Sequence, residues 1–335
     1  MSYYKGKNIF VTGGTGSYGQ ELTKQLLKHD PKEIRIFSRG ENAQVEMEAA
    51  FSDARLSFYI GDVRDGERVK DVMRGMDVVF HLAALKHVPI GEWHIGEFVK
   101  TNVGGVESVI RAAQDTGVDR MIFVSSDKAA DPINLYGYTK AIGEKMVTTA
   151  NIKSDQTKFF CIRSGNLTGS HGSVVPVFRK QIERYNRVTV TDERMTRFLE
   201  IPEELVTFVL KVGAEGLGGE IFVPKMFAVD VGTLARAMIK DFGNGKTEIK
   251  NIGARPGEKF HEVLFSRDEL GRIIELPDHF VILPYQFLLN QIPQLNSYAS
   301  LDKKQLTEEV YSSENADKLS EEELRKKLKS LQPIE

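Results

Sequence analysis

Short apolar runs alternate with amphipathic segments along the first half of this chain. The runs cover residues 7–12, 33–38, 56–60, 78–82, 121–124 and 158–163. They lack the polar alternation that is typical of a strand with one wet face, so we expect strands that are buried on both sides. The segments between them have the pattern of helices. Together they predict an α/β fold, a doubly wound parallel sheet with helices on both faces.

A glycine-rich turn follows the first predicted strand and leads into a helical segment. Its three glycines are spaced three residues apart, which differs from the tighter Gly-x-Gly-x-x-Gly fingerprint. Glycines let the backbone approach a pyrophosphate, and the N-terminus of the next helix offers N–H groups and a partial positive charge. We therefore predict a dinucleotide-binding loop and not an ordinary turn. The loop consists of Gly13, Thr15, Gly16, Ser17, Tyr18 and Gly19.

The alternation of strands and helices stops after residue 165. One more apolar run, at 220–224, predicts a strand that returns to the sheet, and 320–331 predicts an amphipathic helix with a solvated or subunit-contacting face. A chain of 335 residues exceeds the usual size of one compact domain. We therefore expect an NAD(P)-binding Rossmann domain at 1–165, completed by the returning strand, and a smaller, mainly substrate-binding domain at 166–335.

The end of the second predicted strand bears on the choice of cofactor. Ser38 and Arg39 lie there, about twenty residues past the glycine loop, where an acidic residue would bind the ribose of NAD and an arginine accommodates the 2′-phosphate of NADP. Arg39 therefore predicts NADP. Glu41 lies close enough to keep NAD as the second choice.

The ends of the next two predicted strands supply further candidates for cofactor contacts. An aspartate after the third strand is placed to meet an adenine edge, but it could equally cap the next helix. Small residues after the fourth strand leave room for a ribose and a phosphate. A lysine just beyond them could reach a ligand or be an ordinary surface residue. The candidates are Asp62, Val63, Ala83, Ala84, Lys86 and Asn102.

The polar stretch 125–140 follows the fifth predicted strand and is the candidate for catalysis. Ser126, Asp127 and Lys128 come where that strand ends, and ligands of open α/β sheets bind outside the carboxyl ends of the strands. Tyr136 and Lys140 are four residues apart at the start of a predicted helix, so their side chains share one face. An ammonium group favours a phenolate, and we expect Lys140 to lower the pKa of Tyr136 so that the phenol can act as a base.

Composition narrows the class of protein. Forty-five Lys and Arg against 47 Asp and Glu give a net charge of −2, which argues against a binder of nucleic acid or of membrane surfaces. The single cysteine, Cys161, lies in an apolar run and is expected in the core. The seven histidines show no zinc-ligand spacing, and no metal is expected. No apolar run reaches the roughly 20 residues that span a bilayer, and no signal-type segment is visible, so we expect a cytoplasmic enzyme.

Three polar clusters in the second half of the chain are candidates for binding a substrate. They cover 172–176, 191–198 and 255–259. They are locally basic in a chain of near-zero net charge, which suits a small anionic ligand such as a diphosphate. An asparagine at the end of the sixth predicted strand and residues beyond the fourth face the same edge of the sheet. The predicted substrate contacts are Lys86, His87, Asn166, Val174, Val175, Thr191, Met195, Arg197, Arg255 and Glu258.

The Gly-x-x-Gly-x-x-Gly and Tyr-x-x-x-Lys patterns resemble the extended short-chain dehydrogenase/reductase superfamily. Longer stretches make the resemblance closer, and they are 61–65, 83–89, 126–130, 172–176, 192–198, 219–225 and 255–259. Together they are similar to the soluble UDP-N-acetylglucosamine 4,6-dehydratases, which open pseudaminic-acid and capsular amino-sugar pathways.

The resemblance implies an internal redox cycle on UDP-N-acetylglucosamine with NADP. Tyr136 would take the proton of the sugar 4-hydroxyl as hydride leaves C4, Lys140 would hold the cofactor ribose, and Ser126 would hydrogen-bond the 4-oxygen. Lys128, if neutral at that moment, would then take the C5 proton, and Asp127, if protonated, would deliver a proton to the departing 6-hydroxyl. Hydride would return to C6. The resemblance also implies a homo-oligomer, a dimer or a hexamer.

Two departures from the family pattern keep alternatives open. Ser126 stands where many relatives have threonine, and 199–202 reads Leu-Glu-Ile-Pro where inverting enzymes usually continue Trp-Ile-Thr. Inversion at C5 is the first expectation, because many retaining relatives carry a long N-terminal membrane region that this sequence lacks. A retaining dehydratase is the runner-up. A UDP-sugar 4-epimerase would need no Asp127 and Lys128, and a cofactor-binding regulator without turnover commonly loses the catalytic tyrosine or lysine.

Overall fold

The computed structural model describes residues 2–169, 173–286, 295–299 and 310–330. The elements of the first half are β1 (Asn8–Thr12), α1 (Ser17–Leu27), β2 (Glu33–Ser38), α2 (Glu41–Phe51), β3 (Leu56–Ile60), α3 (Gly66–Met73), β4 (Val78–His81), α4 (Val88–Gly91), α5 (Ile95–Val99), α6 (Gly105–Thr116), β5 (Arg120–Val124), α7 (Leu135–Ile152) and β6 (Lys158–Ile162). A π-helical turn, Lys100–Gly104, joins α5 to α6, and a 3₁₀ turn, Asp127–Ala129, follows β5.

The second half contributes shorter strands and further helices. They are β7 (Asn166–Leu167), α8 (Val174–Tyr185), β8 (Arg187–Val190), β9 (Thr196–Glu200), α9 (Pro202–Glu215), β10 (Ile221–Pro224), β11 (Phe227–Asp230), α10 (Val231–Phe242), β12 (Glu248–Asn251), β13 (Ile273–Glu275), β14 (His279–Ile282), α11 (Asn296–Ala299) and α12 (Glu321–Ser330). The predicted strands at 33–38 and 56–60 have the same bounds as β2 and β3, and the other predicted strands of the main sheet differ from the observed ones by one residue.

A nine-stranded sheet organises the part of the chain that the structure describes. Its order is β13-β14-β10-β6-β5-β4-β1-β2-β3. The strands from β3 to β10 pair in parallel, while β14 and β13 are antiparallel additions at one end. Strand order reverses at β1, which lies between β2 and β4, and ligands of such sheets bind at this switch point. The predicted doubly wound α/β fold is confirmed, and the strand predicted at 220–224 does return to the sheet.

The two faces of the sheet bury separate apolar clusters. Successive residues of β4 show this, because Val78 and Phe80 belong to one cluster and Val79 belongs to the other. Strand side chains alternate between faces, so a strand covered on both sides needs apolar residues at consecutive positions. Cys161 of β6 is fully buried in one of these clusters, and its predicted place in the core is confirmed.

The second half also builds its own small core. Two short sheets, β11-β9-β7 and β12-β8, lie beside α8, α10 and α12, whose apolar faces share a third cluster. Leu324 and Leu328 of α12 are buried there, so the predicted solvated or subunit-contacting helix packs on α10 along one face. The strands β13 and β14 were not anticipated from the sequence. The domain boundary at residue 165 stays a prediction. No helix in the described ranges is long and apolar enough to cross a membrane.

Candidate functional site

A cleft of about 920 Å³ opens along the carboxyl ends of the parallel strands. Most predicted cofactor residues line it, as do four of the five predicted catalytic residues. The predicted residues among its lining are Gly13, Thr15, Gly16, Ser17, Tyr18, Ser38, Arg39, Asp62, Val63, Ala83, Ala84, Lys86, His87, Ser126, Lys128, Tyr136, Lys140 and Asn166. These predicted residues therefore share one cleft, and their individual roles stay predictions.

The glycine loop has the backbone geometry that a dinucleotide requires. Gly13 has φ +70°, and a Cβ atom there would lie 2.8 Å from the backbone nitrogen of Ala83. A Cβ on Gly19 would collide with the backbone of Gly14, so this third glycine lets α1 pack closely on the loop. Gly16 caps α1 without a side chain that could accept hydrogen bonds from the first turn. A nicotinamide dinucleotide fits this cradle of small residues and open helix N-terminus.

Arg39 and Asp62 lie together where the adenosine end of such a cofactor would bind. The Arg39 side chain is half-exposed, and its guanidinium lies 3.9 Å from Asp62 Oδ2. Burial raises the pKa of Asp62, but hydrogen bonds from Arg64 outweigh burial and leave the pKa below its ordinary value. The alternative role of Asp62 as a helix cap is wrong. Asp65 caps α3, because its Oδ1 accepts a hydrogen bond from the backbone N–H of Arg68 at 3.0 Å.

The predicted catalytic residues meet where β5 ends. Ser126 Oγ donates to Asp127 Oδ1 at 2.9 Å, and Lys128 Nζ donates to the same oxygen at 3.0 Å. Ser126 lies close enough to Tyr136 to lower the pKa of its phenol. Tyr136 is brought over this turn because α7 starts close against it, and a Cβ on Gly137 would collide with the carbonyl oxygen of Lys128. The phenol, the hydroxyl, the carboxylate and the ammonium group therefore form one set, and hydrogen bonds join the last three.

The fifth member of this set, Glu262, was not predicted from the sequence. Glu262 Oε1 lies 3.2 Å from Lys128 Nζ, and Glu262 is buried. Glu262 lies three residues after the predicted cluster 255–259, so an extension of that polar cluster by a few residues would have included it. Lys128 therefore lies between two carboxylates, and a contact of 3.4 Å to Asn166 Oδ1 completes its surroundings.

Glu262 changes the expected protonation states. Burial lowers the pKa of Lys128, but the charges of Asp127 and Glu262 outweigh burial and raise the pKa well above its ordinary value. Lys128 is therefore an ammonium group in the resting site, and the condition that it be neutral when it takes the C5 proton is not met at rest. Burial raises the pKa of Asp127, against the lowering effect of Lys128, and this direction favours a proton on Asp127.

The predicted effect of Lys140 on Tyr136 is also wrong for the resting site. Burial raises the pKa of Tyr136, and the groups that oppose burial are Ser126 and Lys128. Lys140 instead donates from Nζ to the carbonyl oxygen of Val124 at 2.7 Å. Burial lowers the pKa of Lys140 to about 8. Tyr136 is therefore a neutral phenol at rest, and Ser126 is the neighbouring hydroxyl through which its proton could pass.

Comparisons with known proteins identify the family. The chain matches the family described as "Polysaccharide biosynthesis protein" over residues 9–284. The chain belongs to this family. A UDP-N-acetylglucosamine 4,6-dehydratase (inverting) of Campylobacter jejuni subsp. jejuni serotype O:23/36 is 41% identical over 318 residues, covering 93% of this chain and 94% of that relative. A UDP-glucose 4-epimerase of Rickettsia rickettsii is 39% identical over 335 residues, covering 98% and 97%.

A solved structure has the same fold over nearly the whole chain. Pen from Bacillus thuringiensis superposes with a TM-score of 0.90 at 35% sequence identity, and the match covers 98% of this chain and all of that chain.

In this family member, several predicted substrate residues form a cluster of their own outside the cleft lining. Arg197 donates to Glu258 Oε1 at 2.9 Å, Thr191 Oγ1 lies 3.4 Å from the same oxygen, and Met195 Sδ accepts from Thr191 at 3.1 Å. Arg197 Nε also lies 4.0 Å from Glu262 Oε1. The cluster thus reaches the catalytic set through Glu262.

The other predicted residues have local roles or lie outside the cleft lining. Asn102 binds Leu85 through both its amide oxygen, at 2.8 Å, and its amide nitrogen, at 2.9 Å, and therefore holds the loop after β4. Val174 and Val175 begin α8 and pack against the third apolar cluster. The backbone N–H of Arg255 donates to Glu258 at 3.3 Å. Among the described residues, no group of three or more His, Cys, Asp or Glu is arranged to hold a metal ion.

Proposed function

We propose that this chain is a UDP-N-acetylglucosamine 4,6-dehydratase that inverts C5, with NADP as its cofactor. The observation that carries the proposal is Lys128 between two carboxylates, next to Tyr136 in the cofactor cleft. A dehydration across C5 and C6 needs groups that remove a carbon-bound proton and protonate a leaving hydroxyl. The relatives named as dehydratases and as an epimerase make both reactions candidates, and Asp127 with Lys128 favours dehydration.

The hydrogen bonds of the site suggest how the first proton moves. NADP, when bound in the cleft, would supply the hydride chemistry at C4 and C6 of the sugar. Tyr136 takes the proton of the 4-hydroxyl while its own proton passes through Ser126 to Asp127. This path uses the proximity of Ser126 to Tyr136 and the 2.9 Å contact from Ser126 Oγ to Asp127 Oδ1. It requires no phenolate at rest, which agrees with the raised pKa of Tyr136.

Asp127 then supplies a proton to the leaving 6-hydroxyl group. Lys128 takes the C5 proton, the C6–O bond breaks, and the 6-hydroxyl leaves as water with the proton held on Asp127. A proton is finally added at C5, on the opposite face for inversion. The proton lost from the 4-hydroxyl therefore departs in the water, and the product is a UDP-2-acetamido-2,6-dideoxy-4-hexulose. The burial that raises the pKa of Asp127 favours this role as an acid.

Two finer parts of the proposal rest on the binding residues. NADP is favoured over NAD because Arg39 lies half-exposed at the end of β2, where a 2′-phosphate would bind. The diphosphate of the substrate would be held by the arginines of the second half, Arg197 and Arg255. The homo-oligomer and the cytoplasmic location stay predictions.

The reaction is tested by incubating the purified protein with UDP-N-acetylglucosamine and NADP in D₂O. We expect a product that is lighter by one water and carries solvent deuterium at C5, and its proton NMR couplings give the C5 configuration. The original configuration at C5 would indicate the retaining reaction. A 4-epimer without water loss or deuterium at C5 would indicate the epimerase. Lys128→Ala and Asp127→Asn are expected to lower turnover by about 10²- to 10⁴-fold, and undiminished activity would refute their roles.

A further inference from the structure

Glu262 is built into the site from a distant part of the chain. Its backbone N–H donates to Ser313 Oγ at 2.9 Å, and its carbonyl oxygen accepts from the N–H of Ser313 at 2.8 Å. Lys259, three residues earlier, donates from Nζ to the carbonyl oxygen of Ala130 at 2.6 Å, which ties this segment to the turn that carries Lys128. The position of the Glu262 carboxylate is therefore fixed from both sides.

The carboxylate also has unused hydrogen-bonding capacity. Oε1 lies 3.2 Å from Lys128 Nζ, while Oε2 is buried and has no hydrogen-bond partner among the described residues. Buried carboxylate oxygens are normally satisfied, so an unpartnered oxygen beside a cationic amine needs an explanation. Asp127 has an unpartnered oxygen of the same kind, Oδ2, on the other side of Lys128.

During the proposed reaction, side chains of the site must hold two protons from the sugar, one from the 4-hydroxyl and one from C5. The first passes to Asp127, because Ser126 lies beside Tyr136 and donates a hydrogen bond to that carboxylate. Lys128 is already an ammonium group at rest, so it can take the second only if it gives up a proton. Asp127 is then occupied, and Glu262 is the remaining carboxylate within hydrogen-bonding distance of Lys128 Nζ.

Resting on the proposed function, we propose that Glu262 is a positioning residue that receives a proton from Lys128 as Lys128 removes the C5 proton of the sugar. In this step the C5–H bond breaks and its electron pair enters the enolate of the 4-ketone. An N–H bond forms on Lys128 as another N–H proton moves to Glu262, so the amine stays protonated throughout. When the cycle ends, Lys128 releases one proton, to C5 or to solvent, and the proton on Glu262 returns to Lys128 in its place.

The surroundings of Glu262 keep it ready as a carboxylate between turnovers. Burial raises its pKa, but the charges of Lys128, Arg197 and Lys259 outweigh burial and the pKa lies below its ordinary value. Transfer of a proton from Lys128 across the 3.2 Å contact removes the charge of the Glu262 carboxylate, and burial favours the neutral form of that group. Arg197, at 4.0 Å, is the remaining cation that opposes it.

Glu262→Gln tests this role, since the amide keeps the shape of the side chain but cannot take a proton. In a single turnover with UDP-N-acetylglucosamine in D₂O, we expect C4 oxidation, followed as reduced cofactor, to persist within about threefold of wild type. Deuterium entry at C5 is expected to fall by about 10²- to 10⁴-fold. Glu262→Asp should restore part of the C5 exchange. A variant whose oxidation and exchange fall together, or whose exchange is unchanged, would overturn the proposal.

Glu314→Gln is the matched control. Glu314 is exposed and contacts the neighbouring His261 at 3.7 Å, so the substitution removes a nearby carboxylate that does not touch Lys128. Oxidation and exchange should both keep their wild-type rates in this variant. If wild type itself shows no C5 exchange, the proposed function fails and takes this inference with it. If wild type exchanges C5 and Glu262→Gln does so equally, only the inference fails.

A measurement on the free protein tests the contact without turnover. Lysines are dimethylated with ¹³C-formaldehyde, and the Lys128 signal is identified by its loss in Lys128→Arg. Its pKa should be lower in Glu262→Gln than in wild type by about one unit or more, because one of two neighbouring anions is gone. The Glu314→Gln signal should titrate as in wild type. An unchanged Lys128 titration in Glu262→Gln would refute the pairing.

Discussion

Arg163 is a buried cation whose replacement by methionine should destabilise the chain strongly. It is 2% exposed and lies at the end of β6, directly before the cleft residues Ser164 and Gly165. Its guanidinium binds Glu144 of α7 at 3.0 and 2.7 Å and Glu269 at 2.9 Å twice. A fifth hydrogen bond, of 2.7 Å, goes to the carbonyl oxygen of Leu264. One side chain thus joins the central sheet to the segment that carries Glu262.

The size of the effect follows from what Arg163→Met leaves behind. The variant loses the five hydrogen bonds and leaves two buried carboxylates without a cation. Removing one partner of a buried ion pair typically costs about 3–5 kcal/mol, because the remaining charge is uncompensated. Arg179→Met is the control. Arg179 pairs with Glu183 at 2.9 Å, but both side chains are about half-exposed, and such surface pairs contribute at most about 1 kcal/mol.

Urea unfolding followed by circular dichroism measures both variants. Burial raises the pKa of Glu269, but Arg163 outweighs burial, so the net pKa is below its ordinary value of 4.5. A depressed carboxyl pKa contributes stability above the unfolded pKa, and that stability is lost as the pH falls through the folded value. The loss caused by Arg163→Met should therefore be largest near neutral pH and smaller at about pH 4. A loss below about 1 kcal/mol at neutral pH would refute the reasoning.

Two further substitutions address the choice of cofactor and a buried carboxyl group. Arg39→Ala should weaken NADP binding by about 10- to 100-fold and NAD binding little, because a charge-assisted contact is worth about 1.5–3 kcal/mol. Equal losses in titration calorimetry would contradict the 2′-phosphate contact. Burial raises the pKa of Glu200 well above its ordinary value, so its ionisation favours the unfolded chain as the pH rises. Glu200→Gln should therefore unfold at higher urea than wild type near neutral pH and equally at about pH 4. A variant that is no more stable near neutral pH would show that burial of this carboxyl carries no penalty.

The sequence predicted those parts of the site that are local along the chain. A turn after a strand and a helix face are defined by neighbouring residues, so Gly13, Ser126 and Tyr136 could be assigned to the cleft from spacing alone. The strands themselves were clear because burial on both faces leaves continuous apolar runs. Parallel strands in register then bring their carboxyl ends to one edge, which is why separate motifs could be expected to meet.

The features that the sequence missed depend on tertiary contacts. Glu262 lies next to Lys128 although 134 positions separate them, and no local pattern marks that distance. The resting charge of Lys128 could not be predicted for the same reason, because a lysine beside one aspartate differs from a lysine between two carboxylates. Asp62 and Asp65 are equivalent as cap candidates in sequence, and only the start of α3 at Gly66 selects Asp65.

The charged resting state of Lys128 bears on how a dehydratase site can work at all. A neutral amine in a buried pocket would be a ready base, but a deprotonated Asp127 beside it would be an uncompensated buried charge. The ammonium group solves that problem by pairing with Asp127 at 3.0 Å and with Glu262 at 3.2 Å. One ammonium group between two carboxylates carries a net charge of −1, so protons released from the sugar can go to either carboxylate while Lys128 stays protonated. The two carboxylates, and not a neutral lysine, thus accept the protons that the substrate supplies.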